Sequence, residues 1–255
     1  MQLSTLQALR SLSLGDCQCE PADYAPLASL PSLDSLALAS SLLPACIGEL
    51  TRLQALELVA IRQGRNAGIA GALEAAVRPL WRLTHLYLEP ASHCVIDPAQ
   101  IYQILAAVAE LPQLRSFGWL GGHPDAQEPV PAGPWLQTLQ RLLLPPRIAA
   151  ASTAVLLAAT RLHCLAAGGR AWLLAMHDMG AGPHLKLLRW APQHPSLRVL
   201  GVNLWQTTIR KAGAKFQKQH PGLQIVVSAH VVRAMSEHAR SLASFKNVPS
   251  LLGLP

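Results

Sequence analysis

Charge is scarce in this sequence. Only 14% of its 255 residues are charged, against about 25% in an ordinary soluble domain, while 51% are hydrophobic. A chain so composed is long enough for one extended core or two small ones. It nonetheless lacks an apolar run of membrane-spanning length. The longest candidate, Ile148 to Thr160, is bounded by Arg147 and Arg161 and carries Ser152 and Thr153, which suits a packed helix. Met1-Gln2-Leu3-Ser4 offers neither a basic nor an apolar signal region, so no secretory signal is expected. Reactive signatures are missing as well. There is no G-x-S-x-G, no G-x-x-x-x-G-K-[ST] and no G-x-G-x-x-G opening a helix; Gly168-Gly169 and Gly180-Ala181-Gly182 are isolated turn signals.

The ten histidines show no H-x-x-x-H or H-E-x-x-H spacing. His93-Cys94 and His163-Cys164 are adjacent pairs, and neighbours on a strand point to opposite faces. Neither a metal nor a cofactor is expected, and no catalytic residue stands out. Five cysteines (17, 19, 46, 94 and 164), odd in number and without a secretory signal, point to reduced thiols in an intracellular compartment. Cys17-Gln18-Cys19 is too close for an unstrained bridge and has no second pair at zinc-finger spacing; Cys17, three residues after Leu14, reads as a packing residue.

The scarce charge is unevenly placed. Residues 1–184 carry 11 Lys+Arg against 13 Asp+Glu, whereas 185–255 carry 10 against 1, and all five lysines lie in the second segment. Lys211, Lys215 and Lys218, spaced i, i+4 and i+7 on an expected helix over 208–219, form one stripe with Arg210 beside it. Ile209, Ala212 and Phe216 face away from it. Such a stripe suits an acidic partner, and the competing reading is a solvated face.

What is abundant is leucine, and its spacing repeats. Leu50, Leu53, Leu56 and Leu58 step by three, three and two, the change a chain makes when an arc runs into a short strand whose alternate residues share a face. The same step recurs from Leu6, Leu30, Leu80 and Leu136, and in degenerate form from Leu111 with Phe117 and Trp119. These starts lie 24, 20, 30, 31 and 25 residues apart, at or just beyond the usual range of about 20–29. The long gaps predict helical returns. Asp97-Pro98 opens one over 99–110 with Ile101, Ile104, Leu105 and Val108 on one face, and Ile69, Leu73, Ala76 and Val77 share a face in another. Gly121–Pro134, rich in Pro and Gly, predicts a protruding loop. Leu162 and Leu165 suit a seventh unit, and His194-Pro195-Ser196-Leu197 and His220-Pro221-Gly222-Leu223 open two more apolar strands.

Leu43, Pro44, Ile47, Gly48, Leu50, Leu53, Leu56 and Leu58 match L-P-x-x-I-G-x-L-x-x-L-x-x-L-x-L position for position. This stretch resembles the leucine-rich repeat proteins of the plant and green-algal intracellular type, and the H-P-x-L units resemble those of F-box leucine-rich repeat proteins. The expected fold is an α/β solenoid, a horseshoe with parallel strands on the concave face and mixed arcs and helices on the convex face. It spans 1–229 as about eight or nine irregular units, with 230–255 as a C-terminal capping helix and tail. The first unit is under way by Leu6 with no polar cap before it, so a missing N-terminal segment or a second chain is expected to cover that end.

The resemblance implies a non-catalytic scaffold binding a protein partner on the concave face. Of the positions flanking the inward leucines, Glu57, His85, Tyr87, Glu89 and Arg141 carry recognition chemistry, with Tyr87 the best anchor. Alternatives are the substrate-recognition part of an F-box ubiquitin ligase, or a cytoskeletal or ciliary scaffold using the basic end; nucleic acid is not expected as a partner. The expected setting is cytoplasmic.

Overall fold

In the computed structural model, nine strands form one sheet in sequence order, β1 to β9, every neighbouring pair parallel. The structure describes residues 6–15, 20–39, 42–61, 69–91, 96–121, 126–168, 182–202 and 207–227. The strands are β1 (Ser11–Gly15), β2 (Ser35–Ala39), β3 (Ala55–Ile61), β4 (His85–Pro90), β5 (Ser116–Trp119), β6 (Arg141–Leu144), β7 (Cys164–Ala167), β8 (Val199–Val202) and β9 (Gln224–Val227). Parallel neighbours need a crossover return, and the described return elements pack on the leucine side of the sheet. In three of them the described element is a 3-10 turn: Pro21–Ser29, Ala45–Glu49 and Pro134–Gln137. The others include α1 (Ile69–Val77), α2 (Pro98–Ala109), α3 (Pro146–Ala151), α4 (Thr153–Leu156), α5 (Gly182–Trp190) and α6 (Thr207–Gln219).

The leucine step sets the register. Leu12, Leu36, Leu56, Leu86, Phe117, Leu142, Leu165, Leu200 and Ile225 are successive partners across the sheet. Their side chains point toward the returns, where one continuous core runs from Tyr24 to Leu223. Helices need about 8–10 Å of lateral room and strands about 4.8 Å, so helical returns splay the outer layer and put the sheet on the inside of the curve. The fold is a leucine-rich repeat solenoid.

The structure refines two of the sequence expectations. The segment after Gly121 is anchored rather than free where it is described: Ala126 and Val130 are buried in the core with Gln127, Glu128 and Pro129 exposed between them, and the Val130 N–H donates to Ser152 Oγ at 2.9 Å. The single helix expected over 148–160 is broken at Ser152, whose hydroxyl donates to Ile148 O at 2.6 Å while accepting from Val130. The buried hydroxyl thus ties a second segment to the point where the helix is interrupted. Cys17, Cys19, His93, Cys94 and the capping helix expected within 230–255 lie outside the described residues.

Candidate functional site: the inner sheet face and its strand-entry rim

Strand residues that point away from the leucine core form the inner face. Its middle row, in register, is Glu57, Tyr87, Gly118, Leu143 and Ala166. Tyr87 lies flat against Gly118: a Cβ at Gly118 would come within 2.6 Å of the tyrosine ring. With Val59, Leu120, Leu143 and Ala166 it forms a second, smaller apolar cluster, and its hydroxyl donates to Glu89 at 3.2 Å. Tyr87 and Glu57 are each 1% exposed and Glu89 is 5% exposed. Three of the five expected contact residues are thus interior side chains. An aromatic on the inner face reads alike from sequence whether it is open or covered, and the burial of this row is what the leucine pattern does not encode.

The other two, His85 and Arg141, are half-buried and sit in the first row, at the start of their strands. That row borders a polar rail. Asp34, Gln54, Thr84 and Arg115 each precede a strand and are stitched by backbone bonds: Gln54 N–H to Asp34 O at 2.7 Å, Thr84 N–H to Gln54 O at 2.8 Å, Arg115 N–H to Thr84 O at 2.8 Å. Three strand steps of about 4.8 Å make this rail roughly 14 Å long. Gln140, His163 and Arg198 continue it by the same bonds. The Thr84 hydroxyl donates to Gln54 O at 2.9 Å and lies 2.8 Å from His85 Nδ1, which makes that ring nitrogen the donor of the pair.

Along the rail runs a groove of about 790 Å³, lined by Asp34, Gln54, Thr84, His85 and Arg115 and walled by Trp81 and Arg82. Trp81 is 49% exposed, and the Arg82 guanidinium sits 4.8 Å from its ring centroid, a cation–π distance. Trp81, Arg82 and Arg115 were not among the expected site residues. The first two fill the two open slots of Leu80-x-x-Leu83, a turn position without strand periodicity. Only the register joins them to Asp34 and Gln54 from two earlier units.

Among the described residues, burial shifts two thiols and three histidines toward their neutral forms. Burial pushes the Cys164 thiol up to about 11, with Arg141 opposing, and burial, then Glu49, raises Cys46, which donates to Tyr24 O at 3.2 Å. Neutral thiols are poor nucleophiles. Burial lowers His163 and His194 and takes His184 down to about 4. Among the described residues no group of three or more metal-ligating side chains comes together, and no helix is long and apolar enough to cross a membrane. The stripe residues Lys211, Lys215 and Lys218 are exposed on α6, which also carries Arg210.

No known family profile and no curated protein matches this chain. Among solved structures it is similar to the tropomodulin C-terminal domain of Caenorhabditis elegans, at 10% identity and TM-score 0.33, over 60% of this chain and 77% of that one. It is also similar to a leucine-rich repeat protein of Leptospira interrogans, at 13% identity and TM-score 0.26, over 98% and 90%. Likenesses this distant say nothing of what the rim or the basic helix binds. The assignment of the site rests on the geometry above.

Proposed function

We propose that this chain is a non-catalytic protein-interaction scaffold that seats an extended segment of a partner protein in the strand-entry groove, with Trp81 and Arg82 as anchors. The observation that carries the reading is a large aromatic left half exposed, with an arginine over its ring, at the wall of a groove. Tryptophan and arginine are the residue types most enriched among binding hot spots. A rail of roughly 14 Å accommodates about four extended residues at 3.3 Å each. His85 and the Asp34 and Arg115 side chains supply orienting polar contacts. Tyr87 and Glu89 lie beneath the surface on β4, the strand that carries His85, and Arg141 extends the same first row.

The test is affinity capture of the full chain with mass spectrometry, run beside Trp81→Ala, Arg82→Ala and Tyr102→Ala, the last an exposed aromatic on the return side. Truncating an anchor costs about 2 kcal/mol, or roughly thirtyfold in affinity, so the first two variants lose partners that Tyr102→Ala keeps. An unchanged partner set from Trp81→Ala would overturn the reading. The finer assignments implied by the repeat resemblance, a ubiquitin-ligase substrate receptor or a ciliary or cytoskeletal scaffold, differ in partner. The captured set decides between them.

A further inference from the structure

The second half of the solenoid is almost free of acid. After Glu128 the sequence carries only Asp178 and Glu237, and the described residues from Pro129 to Val227 contain no aspartate or glutamate. The cations there are not scattered. Helix α5 packs against α6; Leu187, Leu188 and Ile209 are buried between them and the sheet. The opposite faces expose Lys186 and Arg189 on α5 and Lys211, Lys215 and Lys218 on α6. Seven residues of helix span about 10 Å, and packed helices lie about 8–10 Å apart. These five side chains therefore share one patch about 10 Å on a side. A carboxylate at i+3 or i+4 stabilises a helical lysine; neither helix has one, and among the described residues from Pro129 onward no carboxylate offsets these charges.

We propose that this face of α5 and α6 is a docking surface for an acidic protein segment, a run of aspartate and glutamate from a partner chain. Three features favour that occupant. Neither helix exposes a large apolar side chain that could enter a bilayer. Neither offers an open aromatic for base stacking: Trp190 is buried, and half-buried Phe216 stacks on His220 at a centroid distance of 6.1 Å. The patch is also half the width of a duplex, whereas one extended strand of carboxylates, with side chains about 6.7 Å apart on one face, matches its length. Flexible lysines tolerate the irregular spacing of such a segment. The surface lies on the return layer, away from the rim groove, so the two readings stand independently.

The test uses the full chain and a fluorescent twelve-residue polyglutamate, followed by anisotropy across a salt series. Saturable binding that weakens steadily with salt is expected. Lys211→Gln/Lys215→Gln/Lys218→Gln should weaken it about tenfold and Lys186→Gln/Arg189→Gln about threefold, each removed pair counting a little. Circular dichroism checks that both variants are folded. Arg10→Gln, at the other end of the solenoid, and Trp81→Ala should bind as the parent does. Absence of binding at low salt would overturn the proposal, as would variants that bind like the parent. So would displacement of the peptide by a 20-base-pair duplex or by phosphatidylserine vesicles at lower concentrations of charge.

Discussion

Tyr87 shows how much one residue decides on the inner face. Its ring covers Gly118 on the next strand, and any Cβ there would strike the ring at 2.6 Å. Gly118→Ala must therefore displace Tyr87 or bend β5, an overpacking cost of about 1–3 kcal/mol, read as a lowered urea midpoint. Tyr87→Phe keeps the ring and removes the donor to buried Glu89, which costs about 1–3 kcal/mol for a buried acceptor losing a partner. A change under about 0.5 kcal/mol would mean that the hydroxyl bond contributes nothing net. The buried histidine on α5 gives a pH signature. His184 is held down to about 4 by burial, below the ordinary 6.5. Above pH 6.5 both folded and unfolded forms are neutral and the residue adds no pH dependence to stability. Between 6.5 and 4 only the unfolded chain takes the proton, so stability falls with acidification by up to about 3 kcal/mol. His163 and His194, also lowered by burial, act in the same direction. Denaturation at pH 7.5 and 5 checks this, and His184→Leu should flatten the difference.

At the scale of elements, α2 is the helix whose start is most fully specified. Asp97 accepts from the Gln100 N–H at 2.9 Å, the Asp97 N–H donates in return to Gln100 Oε1 at 3.3 Å, and Pro98 occupies the first turn. Asp97→Ala removes this cap and should cost about 1 kcal/mol, while Asp97→Ser retains most of it; equal loss in both would point to a charge effect instead. That start was legible in the sequence, as were α6 and the leucine register of the strands, because each rests on a local spacing. The 3-10 turn Ala45–Glu49 follows the same logic, with Ile47 fully buried beneath it. What was not legible depends on contacts between units: the break at Ser152, the inward course of Ala126 and Val130, and the rim groove, whose walls come from several repeats. The spacing of Leu80 and Leu83 shows that two residues between them face out. It does not show that Trp81 and Arg82 stack there, or that Asp34 and Gln54 lie alongside.

At the scale of the molecule, a single sheet in sequence order has each unit touching only its neighbours, so stability should be graded along the axis. β1 has one strand partner, and its leucines Leu12 and Leu14 are only half-buried. β6 lies between β5 and β7, and Leu142 beneath it is 2% exposed. Leu142→Ala creates a cavity flanked by two units and should cost about 2–5 kcal/mol, whereas Leu12→Ala forfeits only part of a side chain's burial, about 1 kcal/mol. The two should also differ in kind. Amide exchange in the parent should be slower in β4 to β7 than in β1. Leu12→Ala should speed exchange in β1 and β2 and leave β5 to β8 unchanged, while Leu142→Ala should raise exchange on both sides of β6. If Leu12→Ala loosened the whole sheet equally, the repeats would be behaving as one cooperative block, with the terminal unit as firmly coupled as the central one.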